Sequence, residues 1–332
     1  MFSTMNRLIA GVDIGGTNVV VGLVPEDGTS IHGVNTERTH KSDEPQDTFD
    51  QILRMVGRSI DLTNEELGEG KFEVVGVGMG APGPLDRRSG TVLLTPNLGW
   101  VGMPLRDGVA EVLGLPATLE NDANCAVYGE WWHGAARGGR VVVGLTIGTG
   151  IGGGIVIDGE LFHGSSDAAG EIGHASIDTN GRRCKCGNYG CLEAYAAGPA
   201  IAARAVEGIE AGARSSLVDI VDGDLTAITA KTVSEAALNG DHFSVDVIRE
   251  TAHILGSAVA NLVNIFNPDI VVICGGVTLT GDYLFEPLRH QVVRRAFKPS
   301  VEACRIVPGA LTGTAGVYGA VKSFLAQTEA EN

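Results

Sequence analysis

Four residues able to bind a soft metal fall close together in this chain: His174, Cys184, Cys186 and Cys191. The cysteines lie in the run Cys184-Lys185-Cys186-Gly187-Asn188-Tyr189-Gly190-Cys191-Leu192-Glu193, and the histidine closes Glu171-Ile172-Gly173-His174. Three thiols and one imidazole complete a tetrahedral Zn²⁺ shell. A metal with four protein ligands has no open position for chemistry, so such a site shapes a loop. Glu171 and Glu193 flank the set and would be held at fixed positions, which suits the reading of hydroxyls on a ligand such as a sugar. Two blander readings stand beside this one: thiols buried as small hydrophobes, or a disulfide between two of the three. The segment is rich in Gly and Arg and has little apolar surface to bury. Cys125, Cys274 and Cys304 sit in apolar surroundings and are expected in the core.

A second group of residues suits phosphoryl transfer to a hydroxyl, which needs one positioned carboxylate to accept the proton while donors and a metal stabilise the charge on the moving group. Asp122 is the candidate base. It follows Thr118-Leu119-Glu120-Asn121 at the expected end of a strand, where a helix begins and its dipole favours the carboxylate. Asn121 can both donate to and accept from a sugar hydroxyl. The same pair also reads as a plain helix cap. Two glycine-rich turns, Asp13-Ile14-Gly15-Gly16-Thr17 and Thr146-Ile147-Gly148-Thr149-Gly150, expose backbone N–H groups that can cradle phosphates, and Asp13 could hold a hydrated Mg²⁺ beside them. No Gly-Lys-Ser/Thr follows either turn, and no G-x-G-x-x-G opens a Rossmann helix, so a P-loop or dinucleotide enzyme is disfavoured.

These residues need elements to hold them. Each glycine turn is preceded by an apolar strand and followed by β-branched residues, Val19 to Val21 and Ile155 to Ile157. The repetition suggests two related α/β domains facing each other across a cleft. Val74 to Met79 alternates as a strand and enters the turn Gly80-Ala81-Pro82-Gly83-Pro84. A helix is predicted over Ala123 to Ala136, and another over Asp246 to Phe266 with Asn267-Pro268 as its stop. Ile270 to Cys274 reads as a buried parallel strand ending at Gly275-Gly276, and the polar tail 326–332 as a frayed end.

Composition narrows the class of partner. A chain of 332 residues, 44% of them hydrophobic, has room for one large or two ordinary cores. Gly at 48 positions, about twice the usual share, indicates tight turns and close backbone approaches. A net charge of -16 disfavours nucleic acid, because no segment supplies a basic face. The uncharged run Val141 to Ile157 contains six glycines and is better explained as strand, turn and strand than as a membrane helix. The opening residues lack a signal-peptide pattern, so the reading is a soluble cytoplasmic protein.

Together, Asp13-Ile14-Gly15-Gly16-Thr17-Asn18, Glu120-Asn121-Asp122-Ala123-Asn124, Glu171-x-Gly173-His174 and C-x-C-G-x-x-G-C-x-E resemble the ROK family of sugar kinases and repressors, and within it the bacterial glucokinases. The resemblance runs from about Leu8 to Ala320. It implies an actin-like, RNase H-like two-domain fold, ATP as donor, Mg²⁺, and a structural Zn²⁺ at His174, Cys184, Cys186 and Cys191. Asp122 would be the base, with Gly83, Asn97, Asn121, Glu171, His174 and Glu193 around the sugar. His174 would serve twice, with one ring nitrogen on zinc and the other towards the sugar. Gly15, Gly16, Thr17, Asn18, Gly148, Thr149, Gly150, Gly275, Gly276, Gly313 and Thr314 would surround the nucleotide. Many relatives carry Lys where Asn18 stands. The repressor branch has an added N-terminal helix-turn-helix, for which the dozen residues before Asp13 leave no room. The expected small domain is 1–122 with about 312–332, the large one 123–311, and the expected assembly a homo-oligomer, dimer or tetramer. The implied activity is phosphorylation of glucose at its 6-hydroxyl. The alternatives are a kinase for mannose, fructose, N-acetylglucosamine or N-acetylmannosamine, a non-catalytic sugar-sensing regulator, and an inorganic polyphosphate user.

Overall fold

The computed structural model describes residues 5–40, 45–95 and 98–330. The chain forms β1 (Asn6–Ile14), β2 (Asn18–Pro25), β3 (His32–Arg38), α1 (Pro45–Leu67), β4 (Phe72–Ala81), β5 (Leu85–Asp86), β6 (Thr91–Thr95), β7 (Trp100–Met103), α2 (Leu105–Leu113) and β8 (Ala117–Asn121). Then come α3 (Asp122–Trp132), β9 (Val141–Ile147), β10 (Ile151–Ile157), β11 (Glu160–Leu161), α4 (Glu193–Ala196), α5 (Gly198–Glu210), α6 (Leu217–Ile220), α7 (Ala230–Leu238) and α8 (His242–Phe266). The last elements are β12 (Ile270–Cys274), α9 (Asp282–Arg295), α10 (Lys298–Ala303), β13 (Arg305–Pro308) and α11 (Ala315–Ala330).

The repeat seen in the sequence is a repeat of topology. One five-stranded sheet runs β3-β2-β1-β4-β8 and the other β11-β10-β9-β12-β13. In each, the first three strands form an antiparallel meander and the last two join in parallel. Gly11 faces Gly22 across the first hairpin and Gly144 faces Gly154 across the second. Two sheets of this order are the RNase H-like halves of an actin-like fold, as expected. A small third sheet, β5-β6-β7, forms a flap on the first half.

Alternation along the central strands explains the layers. Leu8, Val12 and Ile14 face Ile52, Met55 and Val109 of α1 and α2, whereas Ile9 faces Val317, Val321 and Phe324 of α11. In the second half Val143 and Leu145 face α5, α7, α8 and α9, while Val142 packs on Val127 and Tyr128 of α3. The inner helices α3 and α11 therefore lie back to back between the sheets. Glycine permits the contact: a Cβ at Gly319 would lie 1.7 Å from the Cys125 carbonyl oxygen, and one at Gly129 would lie 2.1 Å from that of Ala315. The chain passes between halves through α3 and again before α11. Buried Glu130 ties the two crossings together, accepting hydrogen bonds from the N–H groups of Ala135, Ala310 and Leu311.

Three sequence expectations need correction. The helix after Asn121 ends at Trp132 rather than Ala136, because Glu130 captures the Ala135 N–H and turns the chain at Gly134. Residues 326–330 continue α11 instead of fraying; Thr328 hydrogen-bonds back to Phe324 and Gln327 to Ser323. Cys125 is buried as expected, but Cys274 and Cys304 are only partly so. Among the described residues, no helix is long and apolar enough to cross a membrane.

Candidate functional site

Asp122 is the first residue of α3, directly beyond the end of β8. Asn121 caps that helix: its Oδ1 accepts from the N–H groups of Ala123 (3.0 Å) and Asn124 (3.1 Å). The plain cap and the ligand contact are thus compatible, because capping uses the oxygen, while the Asn121 Nδ2 lies 3.5 Å from where a Gly83 Cβ would project. A cavity of about 430 Å³ opens here, lined by Gly83, Asn121, Asp122, Gly153, Glu171 and His174 among others. The flap, the start of α3 and the 166–171 loop form its walls.

Burial pushes the Asp122 carboxyl up to about 6; the Ala123 N–H pulls it down, and the nearby Glu171 charge pushes it up. The helix N-terminus favours ionisation as expected, but desolvation outweighs it. Asp122 is still mostly ionised at neutral pH, which a base requires. Asp13, at the end of β1, is pushed up to about 7 by burial and then by repulsion from Asp122. Its carboxylate lies against Gly316 in the first turn of α11, the helix that Gly313 and Thr314 directly precede in the chain.

This pair makes ligand-free stability depend on pH. From 3.8, the ordinary value, up to about 7, the folded state holds protons that the unfolded state has released, so stability is lost as pH rises through that window. Asp13→Asn should therefore raise stability at pH 7.5 without divalent cations by roughly 4 kcal/mol, and the unfolding midpoint with it, and leave pH 4 nearly unchanged. Thermal melts of both proteins at the two pH values check this; equal gains at both would contradict it.

The glycine turns are also in place. Gly15 N–H bonds the Asn18 carbonyl at 2.9 Å, and Thr39 braces the turn through the Gly15 oxygen at 2.7 Å, leaving Thr17 and Asn18 exposed. Gly148 N–H bonds the Gly150 carbonyl at 2.9 Å, leaving Gly148 and Thr149 exposed. Gly275, at φ 110°, passes so near the second turn that a Cβ would lie 2.0 Å from the Ile147 carbonyl oxygen, with Gly276 next to it. None of these turn residues lines the cavity.

The ligating atoms of His174, Cys184, Cys186 and Cys191 all lie within 4.8 Å of one another. The Sγ atoms of Cys186 and Cys191 are 3.7 Å apart, and Cys184 Sγ is 3.8 Å from His174 Nδ1. A tetrahedron with Zn–S bonds of about 2.3 Å has edges of about 3.8 Å, whereas a disulfide is about 2.05 Å long, so the spacing fits a metal and excludes a disulfide. Burial pushes the thiols of Cys184 and Cys191 up, Cys191 to about 12, so a cation is needed to hold them as thiolates. His174 Nε2 lies on the other side, 3.9 Å from Glu171 Oε2.

Glu193 does not line the cavity. Its Oε2 accepts from Ile151 N–H at 2.9 Å and its Oε1 lies 3.7 Å from Cys184 Sγ, joining the cysteine loop to the second glycine turn. Asn97 lies outside the described residues. Sequence reasoning assigned no role to Glu120, Arg87 and His163, which form a polar cluster behind Asp122 in which Glu120 is buried and the other two are half-buried. The available signal was a glutamate at the end of an apolar strand, since a buried Glu is almost always paired.

The ROK family pattern matches residues 9–328. A glucokinase from Thermotoga maritima is 39% identical over 313 residues, covering 94% of this chain and 95% of that protein. The crystal structure of a ROK family glucokinase from Streptomyces griseus, in complex with glucose and AMPPNP, superposes with a TM-score of 0.82 at 35% identity, covering 95% of this chain and 98% of that one. A putative xylose repressor from Caldicellulosiruptor is 38% identical over 248 residues, which is 75% of this chain and 62% of that protein. Because the pattern spans both sheets and the flap, and the likeness to full-length relatives leaves almost no part of the fold uncovered, this chain belongs to the ROK family.

Proposed function

We propose that this protein is an ATP-dependent glucokinase, transferring the γ-phosphoryl group of ATP to the 6-hydroxyl of glucose. The observation that carries the proposal is Asp122: a carboxylate on the wall of a polar cavity of about 430 Å³, with Asp13 and a glycine turn behind it. The glucokinase relatives, one of them with glucose and AMPPNP bound, support it. In this reading Asp122 accepts the hydroxyl proton as the phosphoryl group arrives. Asn121, the Gly83 backbone, Glu171 and His174 meet the other hydroxyls, and Glu193 and Asn97 are the further contacts that membership of the family implies. The turns Gly15-Gly16-Thr17-Asn18 and Gly148-Thr149-Gly150, with Gly275, Gly276, Gly313 and Thr314, hold the nucleotide from both halves. Asp13 fits a hydrated Mg²⁺, whose charge would neutralise the phosphates and relieve its repulsion with Asp122. Zn²⁺ fits the Cys₃His set as a structural ion.

The test is a coupled ADP-release assay over a hexose panel, with polyphosphate as an alternative donor followed by sugar phosphate formation. Glucose with ATP should give the highest kcat/KM. A clear preference for an N-acetylhexosamine, or for polyphosphate, would replace the substrate or donor named here.

A further inference from the structure

Glu120 is 1% exposed and is surrounded by polar and charged groups from four parts of the fold. Its Oε1 accepts from Asn121 N–H at 2.9 Å and from Asn124 Nδ2 at 3.0 Å. Its Oε2 is met by His163 Nε2 at 2.9 Å and by Ser323 Oγ of α11 at 3.5 Å, and it is ion-paired with Arg87, whose Nε lies 2.9 Å away without a hydrogen bond to it. Burial alone would raise this carboxyl, but His163, Arg87 and Asn124 hold it below the ordinary value, so it stays charged.

The partners share a location. Arg87 follows β5 of the flap, whose neighbours Gly83, Pro84 and Leu85 line one wall of the cavity. His163 begins the loop whose residues Ser166 to Glu171 line the opposite wall. Arg87 reaches that wall as well, lying 3.6 Å from Asp167. Asn121 and Asp122 form the third side. A buried ion pair is weak evidence for stability, since an apolar replacement is often as stable, so geometric specification is the better account of this one.

We propose that Glu120, with Arg87 and His163, forms a clasp that fixes the two walls of the cavity against each other and so sets where a sugar sits relative to Asp122. The three are positioning residues; none needs to touch the reacting atoms. The inference rests on reading the cavity as the sugar pocket.

Arg87→Ala is the informative variant, because Glu120 keeps its hydrogen-bond donors and the fold should survive. The KM for glucose should rise roughly tenfold or more, as expected when a bound group loses its alignment, with the KM for ATP within about twofold. His163→Ala should do the same, the double variant should cost less than the product of the two, and Arg87→Lys should recover most of the loss. Hydrogen exchange without any ligand gives an independent readout: in Arg87→Ala, amides of 163–171 should exchange faster, although Arg87 belongs to the opposite wall. Unchanged exchange there, or an unchanged glucose KM with only a lower unfolding midpoint, overturns the clasp. If the wild-type protein phosphorylates no hexose, the functional reading fails, while the exchange result still decides whether the walls are clasped.

Discussion

Asp122→Asn and Asp122→Ala should fold normally and lose roughly 10²-fold or more in kcat, because general-base assistance is typically worth 10² to 10⁴. Sugar affinity should change less than turnover, since Asn121, Glu171 and His174 remain to meet the hydroxyls. The wild-type rate should also fall below about pH 6, where burial makes Asp122 take up its proton. That acid limb should vanish from the residual rate of Asp122→Asn. Near-normal turnover in Asp122→Ala would show that another group accepts the proton.

The second large effect concerns the cysteine loop. Purified protein should carry about one zinc per chain, and Cys191→Ser should lose it, because the buried Cys191 Sγ is 3.7 Å from its partner thiol. The unfolding midpoint should drop sharply and turnover with it. Structural zinc supplies several kcal/mol of folding energy, about 10 or more in isolated fingers, and the loop joins Glu171 and His174 to Glu193 and the second glycine turn. Elemental analysis separates the outcomes: active protein without zinc would return these cysteines to a role as free thiols, with Cys184 and Cys191 buried.

The features legible in the sequence are those carried by neighbours along the chain. The four candidate metal ligands fall between positions 174 and 191, Asn121 and Asp122 are adjacent, and each glycine turn lies inside its own hairpin. Short spacing lets residue type alone imply geometry. Features that depend on distant residues were hidden. His163 lies 43 positions from Glu120 in sequence, and the Ile151 N–H that holds Glu193 lies 42 from it. Asp122 shows the same limit from another side: its helix cap could be read from local sequence, but the desolvation that outweighs the cap, and the nearby charge of Glu171, depend on the fold. The end of α3 at Trp132 depends on Glu130, whose partners Ala310 and Leu311 come from the far end of the chain.

The central claim is that this fold moves phosphate onto a sugar hydroxyl rather than only sensing the sugar. It is tested most directly by incubating the protein with glucose, ATP and Mg²⁺ and following the phosphorus by NMR. Glucose 6-phosphate and ADP should accumulate in equal amounts, and 6-deoxyglucose, which keeps every other hydroxyl, should bind but give no sugar phosphate. Tight glucose binding with no ADP formed from any hexose would contradict the claim and make the protein a sensor built on a kinase fold.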